Sequence, residues 1–485
     1  MSEIVATEPA IDRLAAERAD IAAVEPGETP VRVAPGEVSA TPPGSASGPT
    51  ARIGTRLGRA TTVMVGLTLL ASVTNYASNI IFSRLLSPAS YGDLTALIAF
   101  SVIAAVPTGA AQTVVAERIA VLLAEGEHER VRYLIRHAVA HIGMLALIVG
   151  LVYALCIPLL KQALDLQTVG PAIALAPLLV MSFLMPVSFG VLQGMERFVA
   201  LGAVMLVVAL SRIVIGVPWT LAGGGAGGPL FGQALGCMLV LGAIAYVSRK
   251  YLLRGGTGAA RAGLRRVPDR RTLAAGGVFI GFALISNLDV LLAKLMLSAH
   301  AAGEYAALVT VEKIVIFLPG AVAVVMVPSA AKAMHLDGSA RRVLRVAALL
   351  VAVTTLLVAV PASLAPHLVL RLMFGVKYVN AAAGVLPIVC AGTCLALLYL
   401  LVVYTVAIED RRLVWLFAGG VAVQVSAIAV LHSSPAQIAT VQACVIALLL
   451  IVNECVFHPI LRGVAARRPR VAAGDVDGCA MSVGK

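Results

Sequence analysis

The ionisable side chains inside or at the ends of long apolar stretches include Arg84, Arg212, Asp289, Lys294, Glu312 and Lys313. A charge surrounded by hydrocarbon is unfavourable, so such residues are functional candidates by default. Arginine binds a phosphate through two parallel hydrogen bonds, and lysine binds it as a point charge. A carboxylate near the middle of a membrane can exchange a proton or a sodium ion. These residue types therefore indicate binding of an anion and exchange of a small cation.

The predicted substrate-binding residues are the cations Arg84, Arg212, Lys294 and Lys313. Arg84 and Lys294 each end the first apolar stretch of one half of the chain, and the alternative for both is contact with the outer membrane interface. Arg212 lies well inside its stretch. It therefore either faces the substrate path or pairs with an acid in a structural bridge.

The predicted ion-coupling residues are the acids Asp289 and Glu312. Asp289 is the stronger candidate, and its alternative role is a fixed bridge to Arg212 or Lys294. Glu312 and Lys313 are neighbours on one helix and point about 100° apart, so they cannot both face one direction. A structural pairing of these two with other helices is an equal alternative.

No catalytic residue, metal site or cofactor is expected, and the chain is not expected to be an enzyme. It lacks the G-x-x-x-x-G-K-[ST] motif of a phosphate-binding loop. His137 and His141 are four residues apart, but no third metal ligand lies near them. The breaks on the predicted outer side are short and poor in ionisable groups, whereas a glycan polymerase or ligase needs catalytic groups there.

The elements that hold these residues are predicted to be membrane helices. The chain has 485 residues, of which 60% are hydrophobic and 13% charged, with a mean hydropathy of +0.95. This composition excludes a cytosolic enzyme, a nucleic-acid-binding protein and a secreted disulfide scaffold, because too few polar side chains exist to cover a soluble globule. Runs of about 20 apolar residues cross a bilayer core. Twelve are predicted, at 60–83, 94–115, 137–157, 169–191, 199–219, 229–247, 272–296, 304–329, 346–366, 381–405, 413–431 and 436–457.

The distribution of lysine and arginine predicts the orientation. If the N-terminus is cytoplasmic, 30 of the 37 bases fall in the N-terminal segment, the even-numbered breaks and the C-terminal tail. Only four fall on the opposite side. Because cytoplasmic loops are rich in these residues, the chain is expected to be a multi-pass protein of the cytoplasmic membrane with both termini inside.

An internal repeat divides the chain into two halves. At an offset of 210 residues Arg84 matches Lys294 and Asn79 matches Asp289, and at an offset of 211 Gly92 matches Gly303 and Asp93 matches Glu304. Six helices per half is an even number, which predicts parallel repeats that face each other across a central cleft and rock against each other. The predicted domains are a disordered segment 1–59, an N-lobe 60–247, a basic linker 248–271, a C-lobe 272–460 and a basic tail 461–485.

Four stretches give the chain a resemblance to a known family: RLLSPASYGD (84–93), LQGMERF (192–198), NLDVLLAKLMLSAHAAGEY (287–305) and LMFGVKY (372–378). In their order and spacing within the twelve-helix frame, the chain resembles the polysaccharide or lipid-linked oligosaccharide flippases of the MATE-like exporter superfamily. The major facilitator superfamily also has six plus six helices. Its Gly-x-x-x-Asp-Arg-x-Gly-Arg-Arg pattern belongs between helices two and three, where this chain reads AERIAVLLAEGEHER.

The resemblance implies a function. A flippase of this kind moves a polyprenyl-pyrophosphate-linked oligosaccharide across the cytoplasmic membrane for cell-envelope polysaccharide biosynthesis, by alternating access. The expected partners are the lipid-linked glycan, membrane lipids, glycosyltransferases or a polysaccharide polymerase, and H⁺ or Na⁺ as a coupling ion; no nucleic acid is expected. The alternative is an ion-coupled drug or metabolite exporter of the same superfamily. Aromatic residues make up only 5% of the chain, which argues against organic cations as its substrate.

Overall fold

The computed structural model describes residues 49–247, 270–316, 340–407 and 412–457, and all regular structure in these ranges is helical. Helices of the first half are α1 Pro49–Leu85, α2 Pro88–Ala124, α3 His128–Ala163, α4 Gly170–Gly194, α5 Phe198–Val214, the short α6 Gly216–Trp219 and α7 Gly227–Val247. A π-helical turn, Thr220–Gly224, separates α6 from α7. We call these helices the N-lobe.

The second half begins with two helices, α8 Arg270–Ile285 and α9 Leu288–Met296, that together form one predicted span. They are followed by α10, which covers 299–316 of the described residues, α11 Ala340–Leu364, α12 Pro366–Met373, a 3₁₀ segment Val376–Gly384, α13 Val385–Ala407, α14 Arg412–Val430 and α15 Pro435–Phe457. We call these helices the C-lobe.

Eleven helical segments of the described residues are long and apolar enough to cross a membrane. They coincide with the predicted spans except the eighth, 304–329, which is helical to residue 316 and then lies outside the described residues. The predicted all-α polytopic fold is therefore confirmed. The predicted disordered segment 1–59 differs from the structure at its end, because α1 begins at Pro49. Most of the predicted linker 248–271 and the predicted tail 461–485 lie outside the described residues.

Local sequence explains how the first two helices are joined. Ser87 caps α2, its hydroxyl accepting a hydrogen bond from the Ser90 N–H at 3.2 Å, and Pro88 follows at the first helical position. Proline is favoured there because its missing N–H would have no partner inside the helix. The reversal between α1 and α2 is thus short and tightly specified.

Most helix contacts lie within each lobe, and α2 is among the elements that contact the other lobe. In the N-lobe α4 packs against α2, α3 and α7, and in the C-lobe α13 packs against α11 and α15. Across the lobes α2 contacts α8 and α9. On α3 a row of apolar side chains is exposed, with Leu147 at 64% and Leu155 at 73%. Exposed apolar rows on such long helices fit a surface that faces lipid.

Candidate functional site

A buried arginine forms the polar centre of the N-lobe. Arg212 is only 4% exposed and donates hydrogen bonds to the side-chain oxygens of Asn75 at 2.9 Å and Asn79 at 2.8 Å, both on α1. Its guanidinium carbon lies 6.0 Å from the ring centroid of Phe82, and its Nε has no hydrogen-bond partner in the described part of the chain. Neither asparagine carries a charge, and no described acid forms a salt bridge with Arg212. We call Arg212, Asn75 and Asn79 the N-lobe centre.

Glycines on α7 hold the end of α5 in place. Gly228, Gly232 and Gly236 recur every fourth residue, and a Cβ at Gly232 would lie 2.7 Å from the Gly216 nitrogen. A Cβ at Gly236 would overlap Ser211, the residue before Arg212. Small residues at this spacing allow two membrane helices to approach closely. The fixed backbone around Ser211 and Gly216 then aims Arg212 at α1.

A broken helix forms the polar centre of the C-lobe. Between α8 and α9 the backbone leaves the helical path at Asn287, with φ −140° and ψ −14°. Such a break leaves carbonyl oxygens without their helical partners, and other groups must satisfy them. The Ile285 oxygen accepts hydrogen bonds from the side-chain amides of Gln424 at 3.1 Å and Gln442 at 2.9 Å. These two buried glutamines come from α14 and α15.

Two buried acids and a partly buried lysine surround this break. Lys313 on α10 donates to the Asn287 side-chain oxygen at 2.9 Å and lies 3.5 Å from the Ser286 carbonyl oxygen. Asp289 accepts a hydrogen bond from the Tyr305 hydroxyl at 2.6 Å, while its other oxygen has no described partner. Glu312 is fully buried, and neither of its oxygens has a hydrogen-bond partner among the described residues. We call Asn287, Asp289, Tyr305, Glu312 and Lys313 the C-lobe centre.

The two lobes are joined by a buried ion pair. The Lys294 ammonium of α9 lies 2.7 Å from an Asp93 carboxylate oxygen of α2, and both side chains are 1% exposed. Lys294 also donates to the Asp165 carbonyl oxygen at 3.2 Å, and the second oxygen of Asp93 accepts from the Gln167 N–H at 3.0 Å. This pair belongs to what we call the interlobe junction, formed by residues 83–93 against residues 294–310 and 372–378.

Close backbone packing completes the interlobe junction. A Cβ on Gly303 would overlap the Pro88 carbonyl oxygen, and a Cβ on Gly92 would lie 3.0 Å from the Gly303 nitrogen. The two glycines are partners in the sequence repeat, so the repeat brings matched residues together. The Tyr91 and Thr310 hydroxyls lie 2.8 Å apart across the same contact. Only residues without a side chain allow the helices to meet this closely.

The six predicted site residues thus lie in three places. Arg212 lies in the N-lobe centre, and Asp289, Glu312 and Lys313 lie in the C-lobe centre. Lys294 is engaged with Asp93, whereas Arg84, its partner in the repeat, is exposed and donates to the carbonyl oxygens of Leu372 and Met373 at the end of α12. Asp289 forms no salt bridge with any described residue, so the bridge considered for it with Arg212 or Lys294 is absent.

Sequence reasoning did not single out three side chains that organise these places. Asp93 was matched to Glu304 in the repeat, but its pairing with Lys294 was not predicted. Asn287 and Tyr305 flank the charged residues in NLDVLLAKLMLSAHAAGEY, and each holds one of them. Polar residues beside a charge in an apolar stretch were the available signal.

Comparison with solved structures gives this arrangement a context. The chain superimposes on an inward-facing multidrug resistance MATE family transporter of the MOP superfamily with a TM-score of 0.59 at 16% identity, covering 82% of this chain and 98% of that one. For the lipid II flippase MurJ in an inward closed conformation the TM-score is 0.62 at 11% identity, covering 82% and 87%. For a MATE transporter of Vibrio cholerae it is 0.51 at 15%, covering 84% and 98%.

The chain has the MATE-like transporter fold. No family model matches its sequence, and no curated protein matches it. The predicted arrangement of two parallel six-helix lobes is therefore confirmed as a fold. Within the MATE-like fold each lobe carries one polar centre, and the interlobe junction joins the lobes through the Lys294–Asp93 pair and the Gly92–Gly303 contact.

Proposed function

We propose that the chain moves a polyprenyl-pyrophosphate-linked oligosaccharide across the cytoplasmic membrane by alternating access. The similarity in fold to a lipid II flippase and to MATE transporters supports a transporter rather than an enzyme. The substrate has an anionic headgroup and an apolar tail, so a protein that flips it must stabilise the anion while the tail remains in lipid. The charges of the two lobe centres support this substrate class.

One observation carries the proposal, the buried cation of the N-lobe centre. Arg212 has two neutral amide oxygens as partners, a free Nε and no described counterion. A buried charge of this kind requires a partner of opposite charge. A guanidinium binds a carboxylate and a phosphate with the same paired hydrogen bonds, and the phosphate is the larger and more highly charged partner. Arg212 therefore suits the pyrophosphate group of the substrate. Arg84, Lys294 and Lys313 are the further cations that we propose for the substrate path, at other stages of the cycle.

The interlobe junction supports a defined step of the cycle. In the proposed orientation, with both termini in the cytoplasm, the junction lies at the outer side of the membrane. Lys294 and Asp93 then close the outer end, which is the arrangement required to load substrate from the cytoplasmic leaflet. During translocation this ion pair must separate, and Lys294 becomes available to the passing anion.

Asp289 and Glu312 are the groups that we propose for ion coupling. Both are buried in the C-lobe centre beside Lys313, and three of their four carboxylate oxygens have no partner in the described part of the chain. Binding H⁺ or Na⁺ there would change the charge of the C-lobe, and a change of buried charge biases the equilibrium between two packed arrangements. Uptake of the ion from one side would therefore drive the lobes in one direction.

An ion-coupled drug or metabolite exporter is the second candidate. The two buried acids of the C-lobe centre favour it, because a cationic compound would find its counterion there. The similarity in fold to a multidrug resistance transporter is compatible with it. The N-lobe centre favours the first candidate, since Arg212 would repel a cationic compound and attract a pyrophosphate.

The proposed role places the chain in cell-envelope polysaccharide biosynthesis. Glycosyltransferases would supply the lipid-linked oligosaccharide on the cytoplasmic face, and a polysaccharide polymerase would consume it on the outer face. Membrane lipids surround the apolar surface throughout.

Flipping of defined lipid-linked sugars by protein reconstituted into vesicles tests the proposal. We expect the wild-type protein to expose a polyprenyl-pyrophosphate-linked oligosaccharide to a membrane-impermeant reagent. Arg212→Gln should lower the initial rate about 10- to 100-fold, because it removes a charge-assisted contact with the phosphate. The matched control is Arg136→Gln, which removes an exposed arginine at the start of α3.

Two results would contradict the proposal. One is an unchanged rate in Arg212→Gln, and the other is efficient export of cationic dyes with no flipping of any pyrophosphate-linked lipid. The second result would favour the exporter.

A further inference from the structure

The break between α8 and α9 presents oxygen atoms to a cation. The Ser286 carbonyl oxygen, at the C-terminal end of α8, and the Asn287 side-chain oxygen both point to the Lys313 ammonium, at 3.5 and 2.9 Å. The C-terminal end of a helix carries a partial negative charge, which favours cations. Half-helix ends and unwound carbonyls in transport proteins coordinate small cations in this way.

The charges around the break also favour a cation. Asp289 and Glu312 interact electrostatically with Lys313, and Asp289 follows the break by two residues. The Tyr305 hydroxyl donates to one oxygen of Asp289 and leaves the other free, fully buried. Hard monovalent and divalent cations prefer oxygen ligands of these kinds, namely carbonyls, amide oxygens and carboxylates. The ligand set is therefore suited to a metal cation, yet the group that it holds is an amine.

The first half of the chain lacks this arrangement. At the repeat offset of 211, the residues that match Glu312 and Lys313 are Ser101 and Val102, and Asn79 stands where the C-lobe has Asp289. The corresponding helix α1 continues through Pro49–Leu85 without a break. The broken helix, the acids and the lysine thus occur together in one lobe and are absent together from the described part of the other.

We propose that the Lys313 ammonium is the covalently attached occupant of a monovalent-cation site in the C-lobe, formed by the Ser286 carbonyl and the Asn287 side chain, with the negative charge of Asp289 nearby but not in contact with the ammonium. While Lys313 fills the site, Na⁺ cannot bind there. This inference adds detail to the ion coupling of the proposed function. The site itself does not depend on the proposed function; only the consequence, that the exchanged ion is a proton, rests on it.

Glu312 is the group that can hold that proton. An ionised carboxylate buried without a hydrogen-bond donor is strongly unfavourable, and no described residue donates to Glu312. The charged or titratable groups that face it are Asp289, Tyr305 and Lys313, while α13 packs against it with Gly392, which brings no charge. With Asp289 negative and Lys313 positive, a protonated Glu312 leaves the C-lobe centre neutral.

Ion-dependent stability of the purified protein tests the proposal without any transport substrate. Thermal unfolding in detergent would be followed while NaCl replaces N-methyl-D-glucamine chloride at constant ionic strength. We expect no Na⁺ effect on the Tm of the wild-type protein. Lys313→Ala removes the attached cation, and its Tm should rise saturably by a few degrees with Na⁺, because an ion that binds only the folded state stabilises it.

Three further arms sharpen the test. Ethylammonium, a free amine that resembles the end of the lysine side chain, should raise the Tm of Lys313→Ala but not that of the wild type. Lys313→Arg keeps a cation on the chain and should not respond to Na⁺. Lys161→Ala, which removes an exposed lysine at the end of α3, is the matched control and should behave as the wild type.

Two outcomes would overturn the proposal. The first is a saturable Na⁺ effect on the wild-type protein. The second is a folded Lys313→Ala protein that responds neither to Na⁺ nor to ethylammonium. Lys313→Ser, which adds a hydroxyl ligand, replaces the alanine variant if the latter does not fold. Failure of these experiments would not contradict the proposed flipping of the lipid-linked sugar, which the vesicle assay tests. The two proposals therefore fail separately.

Discussion

The two lobes derive from one sequence repeat but have different polar centres. In the N-lobe an uninterrupted α1 presents two asparagines to Arg212, which gives a positive centre without a described counterion. In the C-lobe the matching helix is broken, and two acids share their surroundings with Lys313. The two halves of the repeat thus differ in charge: one lobe holds a buried cation, and the other holds two buried acids beside a lysine.

The interlobe junction shows the same divergence. Lys294 and Asp93 form a buried ion pair across the lobes, and the repeat predicts an equivalent pair between Arg84 and Glu304. That second pair is not formed, because Arg84 donates to backbone carbonyls at the end of α12 and Glu304 lies 3.6 Å from His300 on its own helix. Among the residues that the structure describes, one buried ion pair instead of two therefore joins the lobes. In the proposed cycle, this single ion pair would hold the outer end closed.

The largest expected effect tests that asymmetry. Lys294→Met leaves Asp93 buried without its counterion, and we expect the free energy of unfolding to fall by about 3–5 kcal/mol. Arg84→Met, at the matching position of the repeat, should change it by no more than about 0.5 kcal/mol, because Arg84 is exposed. Chemical denaturation in detergent, followed by tryptophan fluorescence, measures both.

The double variant Lys294→Met with Asp93→Leu is the control for this experiment. It removes both charges, so most of the lost stability should return. Equal losses for Lys294→Met and Arg84→Met would show that the two halves of the junction are equivalent in solution.

The second prediction concerns the glycines of the junction. Gly303→Ala places a methyl group against the Pro88 carbonyl, which we expect to lower the free energy of unfolding by about 1–3 kcal/mol and to separate the lobes at this end. Gly109→Ala on α2 is the control, since a Cβ there meets nothing within 4 Å. That change should stabilise α2 by up to about 1 kcal/mol, as alanine favours helix more than glycine does.

Distances between spin labels measure the separation. Labels at Leu85 and Leu372, which are 40% and 64% exposed at the junction, would be attached in a background without the seven native cysteines. The mean distance should increase in Gly303→Ala and remain unchanged in Gly109→Ala. An unchanged distance in both would show that the glycine contact is not required for closure.

Hydropathy and the repeat predicted the architecture but not the partners within it. The spans could be predicted because each membrane helix requires about 20 consecutive apolar residues, a property that depends only on neighbouring residues in the sequence. The break in the seventh span could not be predicted, because neither glycine nor proline marks it at Ser286 and Asn287. The break depends instead on Gln424 and Gln442, which lie on helices distant in the sequence. The partner of Lys294 was likewise unpredictable, since Asp93 lies in the other lobe and only packing brings the two together.

The smallest expected effect tests how the broken helix of the C-lobe is supported. Gln442→Leu removes one of the two amides that donate to the Ile285 oxygen and leaves Gln424 in place, so we expect a loss of about 1 kcal/mol in the free energy of unfolding. Gln193→Leu at the exposed end of α4 is the matched control and should have almost no effect. If Gln442→Leu instead removed several kcal/mol, the glutamines would be holding the break open against a strong tendency to form a continuous helix. The difference between the lobes would then reside in α14 and α15, and not in the residues of the break itself.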